Sequence, residues 1–129
     1  YINNILTYKG EIKNNKILGY GKFYKKNKIK YKGYFNMIND NIYINGYGIE
    51  YYKNGNIKYI GDFKNSKKHG NGIYYLESNE ILYKGQYKNN KRHGHGLLYY
   101  YNFINNNPTN IKRIVKSTFK NNLIWNYKN

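Results

Sequence analysis

A tyrosine, a glycine and an aromatic or aliphatic residue, each two positions after the last, recur four times in this chain, and each set is followed by Gly-x-Gly. Tyr8, Gly10 and Ile12 precede Gly19 and Gly21, and Tyr31, Gly33 and Phe35 precede Gly46 and Gly48. Tyr59, Gly61 and Phe63 precede Gly70 and Gly72, and Tyr83, Gly85 and Tyr87 precede Gly94 and Gly96. The lead tyrosines are 23, 28 and 24 residues apart. Self-similarity at such a period means one supersecondary unit per copy, each too small to bury a face alone and stable only when stacked on its neighbours.

The unit reads as a β-hairpin. Leu6, Tyr8, Gly10 and Ile12 alternate with Thr7, Lys9, Glu11 and Lys13, the period of a half-buried strand, and Ile29, Ile57 and Ile81 hold the position of Leu6 in the later units. Tyr34 and Ile60 interrupt the polar side of the pattern. Asn14-Asn15, Asn65-Ser66 and Asn89-Asn90 supply residues that tolerate the left-handed conformation of two-residue hairpin turns. Gly-x-Gly opens the second strand, with Tyr24, Tyr51, Tyr75 and Tyr99 three residues after the last glycine, and Asn54-Gly55 is the clearest turn between units. The expected fold is all-β: a single-layer, twisted antiparallel meander of stacked hairpins, about 45 Å long, with a ladder of aromatics along one face.

The expected organisation is one structural domain: residues 1–7 as the tail of a preceding repeat, repeats at 8–30, 31–58, 59–82 and 83–101, a longer connection over 102–114, and a degenerate capping repeat over 115–129. The second repeat carries about four extra residues in its first turn, around Asn39-Asp40-Asn41. Val115, Ser117 and Phe119 take the Tyr, Gly and aromatic positions of the last copy, with Asn121-Asn122 at its turn and Asn126-Tyr127-Lys128 where Gly-x-Gly would stand. Tyr1 to Tyr8 aligns with Tyr52 to Tyr59, so the native chain is expected to continue N-terminally into a further hairpin.

The chain resembles the MORN repeat, the "membrane occupation and recognition nexus" motif. The resemblance is carried best by Tyr59-Ile60-Gly61-Asp62-Phe63 with His69-Gly70-Asn71-Gly72, and by Tyr83-Lys84-Gly85-Gln86-Tyr87 with His93-Gly94-His95-Gly96. Leu18 and Asn45 replace the histidine in the first two units. The resemblance covers about residues 6 to 101 and implies a non-enzymatic scaffold or adaptor associated with cytoskeletal assemblies, the cell cortex or membrane contacts. MORN arrays also accompany lipid-kinase and methyltransferase domains, so an accessory role in a larger enzyme is a further alternative.

Composition narrows the chemistry. There is no cysteine, hence no disulfide, Cys-based zinc site or Cys nucleophile. His69, His93 and His95 are the only histidines, and the family pattern places His69 and His93 as turn-packing residues; no metal site is expected. The glycine pairs lack the third glycine of a dinucleotide loop and the Gly-Lys-Ser/Thr ending of a P-loop, so no cofactor is expected. Glu11, Asp40, Glu50, Asp62, Glu77 and Glu80 are scattered without a repeated pair, which argues against catalysis. No apolar run approaches the roughly 20 residues of a membrane-spanning helix, and a cytoplasmic setting, cytoskeletal or peripheral to a membrane, is the expectation.

Two partner surfaces follow. An uncovered aromatic trough of Tyr8, Tyr31, Phe35, Tyr59, Phe63, Tyr83 and Tyr87 would take a partner helix or a second copy of the chain. Lys9, Lys13, Lys30, Lys32, Lys58, Lys64, Lys84, Lys88, Lys116 and Lys120 recur by strand on the other face and would meet anionic lipid or phosphoinositide. Lys and Arg number 23 against 6 acids, a net +17, although a coding bias toward A and T accounts for part of the lysine content. Nucleic acid is not an expected partner, because no single-strand-binding motif accompanies the lysines and rings.

Overall fold

The structure, a computed structural model, describes residues 6–124. Ten strands follow one another in an open antiparallel sheet whose spatial order is the chain order. They are β1 (Leu6–Lys13), β2 (Lys16–Lys25), β3 (Lys28–Ile38), β4 (Asn41–Tyr51), β5 (Ile57–Lys64), β6 (Lys67–Tyr75), β7 (Ile81–Lys88), β8 (Lys91–Ile104), β9 (Asn107–Lys120) and β10 (Leu123–Ile124). The single-layer meander of hairpins expected from the repeat is the fold observed.

Asparagine chemistry sets the turns. Asn14-Asn15, Lys26-Asn27, Asn39-Asp40, Asn65-Ser66, Asn89-Asn90, Asn105-Asn106 and Asn121-Asn122 all have positive φ at both residues, the type I′ geometry that matches strand twist. Two connections are longer: Tyr52 N–H donates to Asn56 O at 2.8 Å, and Leu76 N–H to Glu80 O at 2.8 Å. Positive φ there falls on Gly55 and Asn79.

Register places one glycine from each of β1 to β8 on a single line across the sheet. Gly10, Gly21, Gly33, Gly48, Gly61, Gly72, Gly85 and Gly96 pair in succession, and Ser117 ends the row. The absence of side chains along this line lets rings from either side lie down on the backbone. Tyr8 crosses Gly21, Tyr59 crosses Gly72 and Tyr83 crosses Gly96, while Phe63 approaches Gly48 from the other side. That is how a sheet with no second layer still buries a core.

Two bulges recur in each repeat. Between Gly61↔Gly72 and Phe63↔Lys68, Asp62 faces three residues, His69, Gly70 and Asn71. Gly70, at φ 72°, turns the longer strand back, as Gly94 does at φ 76° in the next copy. The second bulge lies between repeats, where Phe23↔Tyr31 is followed by Tyr24↔Ile29, and the same shift follows Glu50↔Tyr59 and Tyr74↔Tyr83. It leaves Lys30, Lys58 and Leu82 as extra residues, so strict alternation fails at these positions.

Two expectations need correction. The insertion in the second repeat does not lengthen its turn: Asn39-Asp40 remains a two-residue turn, and Met37↔Ile42 and Ile38↔Asn41 extend the ladder instead. Residues 102–114 are not a loose connection, because β8 and β9 continue through Tyr101↔Ile111 and Phe103↔Pro108 to the Asn105-Asn106 turn. Pro108 is tolerated next to a turn, on a strand whose outer side is unpaired there among the described residues. Val115, Ser117 and Phe119 pair with Leu98, Gly96 and Gly94. Residues 1–5 and the Asn126-Tyr127-Lys128 segment lie outside the described residues.

Candidate functional site: two unlike faces

The aromatic face is built by local clamps. The Tyr8, Tyr59 and Tyr83 hydroxyls donate to the carbonyls of Glu11, Asp62 and Gln86, three residues on, at 2.8, 2.9 and 2.9 Å. The side chains of those same residues accept the N–H of the middle residue of Gly-x-Gly: Tyr20 on Glu11 and Asn71 on Asp62, both at 3.0 Å, and His95 on Gln86 at 2.7 Å. The bulges of the first, third and fourth repeats are thus pinned from both sides. The second repeat carries Tyr34 at this position, and its ring packs edge-on against Tyr20 at 5.6 Å instead.

Turns then dock on the preceding hairpin. Asn90 N–H donates to Lys68 O at 2.9 Å while its Oδ1 accepts Lys68 N–H at 2.8 Å. Asn122 makes the same pair with Arg92, and Ser66, through its hydroxyl, with Ile44.

Rings pack edge to face along this surface. Tyr8, Phe23 and Phe35 form one group, and Tyr31, Phe63, Tyr59, Tyr87, Tyr83 and Phe119 form a second, with centroids 5.1 to 6.4 Å apart in the latter. Tyr59 is 0% exposed and Tyr83 1%, and Phe35, Phe63 and Tyr87 are also buried. The reachable trough expected from sequence is therefore absent at these five residues; Tyr8 and Tyr31 are half-buried. Neighbouring rings cover one another, and Lys68 and Arg92 lie over them. Phe23, Ile44 and Leu98 complete the core and were not anticipated, since none sits at a lead position of the repeat.

Burial leaves its mark on ionisation. Burial, reinforced by the Glu50 carboxylate, pushes the Tyr31 phenol up to about 12. Tyr52, Tyr59 and Tyr87 are raised further, chiefly by burial. Burial lowers the Lys68 ammonium, against a partly compensating pull from Glu50.

The opposite face has a different central row: Lys9, Lys22, Lys32, Ile49, Ile60, Ile73, Lys84, Leu97 and Lys116 are successive cross-strand partners. Lysines thus flank an apolar middle. Here Tyr47, Ile60, Ile73, Tyr75, Lys84 and Leu97 surround an open groove of about 580 Å³, which reaches down to Gly61, Gly72 and Gly85. Ile60, an exception to the polar pattern in sequence, is part of its floor.

The predicted lysines divide. Lys9, Lys32, Lys84 and Lys116 lie on this row, and Lys13, Lys64, Lys88 and Lys120 lie toward the turns of their strands. Lys58 does not belong with them: it pairs with Glu50 at 3.7 Å and stands over the Tyr52 ring, because the inter-repeat bulge reverses its side. Lys30, also at a bulge, lines a separate cavity of about 280 Å³ with Lys25, Lys26, Lys28, Tyr51, Tyr52 and Lys53.

The Nδ1 atoms of His69 and His93 are buried without a hydrogen-bond partner, and both residues line one small cavity beside Tyr87. His95 is exposed, with Thr118 Oγ1 3.4 Å from its Nδ1. Among the described residues no three His, Cys, Asp or Glu side chains converge as metal ligands, and no helix is long and apolar enough to cross a membrane.

Comparison with known families accounts for this architecture. The MORN repeat pattern matches residues 8–28, 41–57, 59–80 and 83–103. The match breaks across β3, where the lengthened hairpin departs from the repeat. Comparison with curated proteins finds no match. MORN repeats are non-catalytic modules that generally mediate protein or membrane interaction. With its family pattern spanning well over half of its length and its hairpins stacked in register, this chain belongs to the MORN repeat family.

Proposed function

We propose that this chain is a non-enzymatic scaffold module, working at the cytoskeleton or cell cortex, whose protein partner seats in the Ile60–Ile73–Leu97 groove rather than on the aromatic ladder. The carrying observation is the open apolar groove, about 580 Å³, on a face otherwise dominated by lysine. Apolar surface left open between charged rims gives a partner's apolar side chains a place to be buried. Tyr47, 54% exposed, and the half-buried Tyr75 provide rigid rings at its margins. Lys32 beside Ile49 and Lys84 beside Ile73 favour an amphipathic helix with apolar anchors and acidic flanks.

The test is site-specific photo-crosslinking in cells. A photoreactive residue at Ile73 should give one dominant protein adduct, lost on adding Tyr47→Ala and Leu97→Asp, whereas the same residue at Lys26 should not. No adduct at Ile73, or the same adduct from both positions, overturns the proposal. An adduct to the chain itself, with a dimer mass by light scattering, would replace the helix by a second copy.

A second reading rests on Lys9, Lys22 and Lys32, consecutive across three strands with no carboxylate between them in the row. Each contributes about 1 kcal/mol near an anionic bilayer. Vesicle binding that needs anionic lipid, weakens with salt and falls in a Lys9→Gln, Lys22→Gln, Lys32→Gln variant would support it; binding indifferent to lipid charge would reject it.

A further inference from the structure

One register position changes chemistry along the array. Ile17, Ile44, Lys68 and Arg92 occupy equivalent places, paired with Ile12, Phe35, Phe63 and Tyr87. In the first two repeats the position is apolar, and Ile44 is part of the core. In the last two it is a cation laid on rings. Lys68 Nζ lies 5.7, 5.4 and 5.7 Å from the ring centroids of Tyr59, Tyr74 and Tyr87. Arg92 Cζ lies 5.7 and 5.3 Å from those of Tyr83 and Phe119.

Packing on rings explains where these cations sit but not what balances them. Lys68 and Arg92 line one cavity of about 290 Å³ with Tyr74, Leu82, Tyr83, Tyr87, Asn90 and Asn122, and no carboxylate among the described residues borders it. Glu50, whose carboxylate acts on Lys68, is paired with Lys58. Arg92 donates to the Asn122 carbonyl at 3.3 Å, which positions its guanidinium without neutralising it. The Asn90 and Asn122 Oδ1 atoms accept the Lys68 and Arg92 N–H groups, leaving the amide nitrogens as the ends available to donate. The chain from residue 81 onward contains no Asp or Glu at all. Two partly desolvated cations, two side-chain amides and a shared cavity make a site for an oxyanion.

We infer that Lys68 and Arg92 together bind a carboxylate-bearing side chain, an Asp or Glu of a partner protein, in the cavity between them. Leu82, Tyr74 and Tyr83 line it with apolar surface, which suits a carboxylate carried on a methylene stem better than a free, fully hydrated anion. Arg92 offers the planar fork and Lys68 the point charge. The site deepens the interaction-module reading and lies on the face opposite the Ile60–Leu97 groove, so the two are separable.

The experiment is an amide-resolved titration of the 129-residue chain with three probes: acetyl-Leu-Glu-Leu-amide, its Leu-Gln-Leu counterpart, and inorganic phosphate. The Glu peptide should give saturable shifts at Lys68, Asn90, Arg92 and Asn122, and the Gln peptide none. Lys68→Met with Arg92→Met should weaken the Glu peptide at least about tenfold, while Lys32→Met and Ile73→Asp, on the opposite face, should leave it unchanged. If the double variant loses the native amide spectrum, Arg92→Lys serves, retaining the charge but weakening binding through loss of the fork. Equal response to the Gln peptide, shifts spread evenly over the lysines, or saturation by phosphate without response to the Glu peptide would each overturn the assignment.

Discussion

The ring of Tyr59 lies across Gly72 of the neighbouring strand so closely that a Cβ at position 72 would clash with the ring's edge and with its hydroxyl oxygen. The hydroxyl at its far end donates to the Asp62 carbonyl at 2.9 Å. This one relationship joins the Tyr, the Gly-x-Gly and the bulge into a single device, repeated by Tyr83 over Gly96.

Gly72→Ala is expected to destabilise the fold by roughly 2–3 kcal/mol, because Tyr59 is fully buried and its displacement overpacks the core. Gly55→Ala should cost only about 1 kcal/mol, the strain of a left-handed alanine, since nothing lies within 4 Å of a Cβ there. Urea unfolding of the two variants checks the order; equal losses would mean that steric contact with the ring is not what glycine provides at position 72.

The bulge clamp makes a second comparison. Asp62→Ala and Gln86→Ala each remove the acceptor of an exposed N–H that water can partly satisfy, so each should cost about 1 kcal/mol. Accelerated hydrogen exchange at Asn71 and His95 respectively, with the exchange of Lys116 unaffected, is the accompanying signature.

Docking of one repeat's turn on its predecessor is tested by Asn90→Gly. Glycine keeps the left-handed backbone, φ 70°, while deleting the Oδ1 that accepts Lys68 N–H. A loss of about 0.5–1.5 kcal/mol is expected, with faster exchange of the Lys68 amide. A neutral result would show that the turn holds its place through its backbone bond to Lys68 O alone.

Alkaline pH should dissolve the ladder. Tyr31 is held at about 12 by burial and by Glu50, above the value near 10 of an unfolded tyrosine, and Tyr59, Tyr83 and Tyr87 are also raised. A raised folded value means the folded state holds its proton more tightly. Its contribution is fully present below about pH 10 and is lost as pH rises toward 12. Phenolate absorbance from the core tyrosines should therefore appear only above about pH 10, together with loss of β circular dichroism. Glu50→Gln should lower the Tyr31 midpoint; a single smooth titration of all tyrosines near 10 would contradict the burial of the ladder.

Much of the fold was legible in the chain because its determinants are local. Period-2 alternation, asparagine pairs at the turns and in-phase glycines specify strand and turn without reference to distant residues. The bulges were not legible, since an extra residue is defined only against the strand opposite. That is why Lys58 was assigned to the lysine face and turned out beside Glu50. The extension of the ladder through residues 102–114 is illegible for the same reason: its pairing with β8 exists only once the two strands are side by side.

The candidate site shows the division most clearly. The repeat pattern by itself puts Tyr8, Tyr31, Phe35, Tyr59, Phe63, Tyr83 and Tyr87 at corresponding strand positions, but it does not reveal Phe23, whose ring packs between Tyr8 and Phe35. Only the tertiary structure decided that this ladder is closed at Phe35, Tyr59, Phe63, Tyr83 and Tyr87, because burial of a ring such as Tyr59 depends on the ring of Tyr87 in the next repeat and on Lys68 laid over both. It likewise decided that the open apolar surface lies on the other side, where Ile49, Ile60 and Ile73 become neighbours by register across β4, β5 and β6. Side-chain identity is a property of the chain, but exposure is a property of what the next hairpin places on top of it.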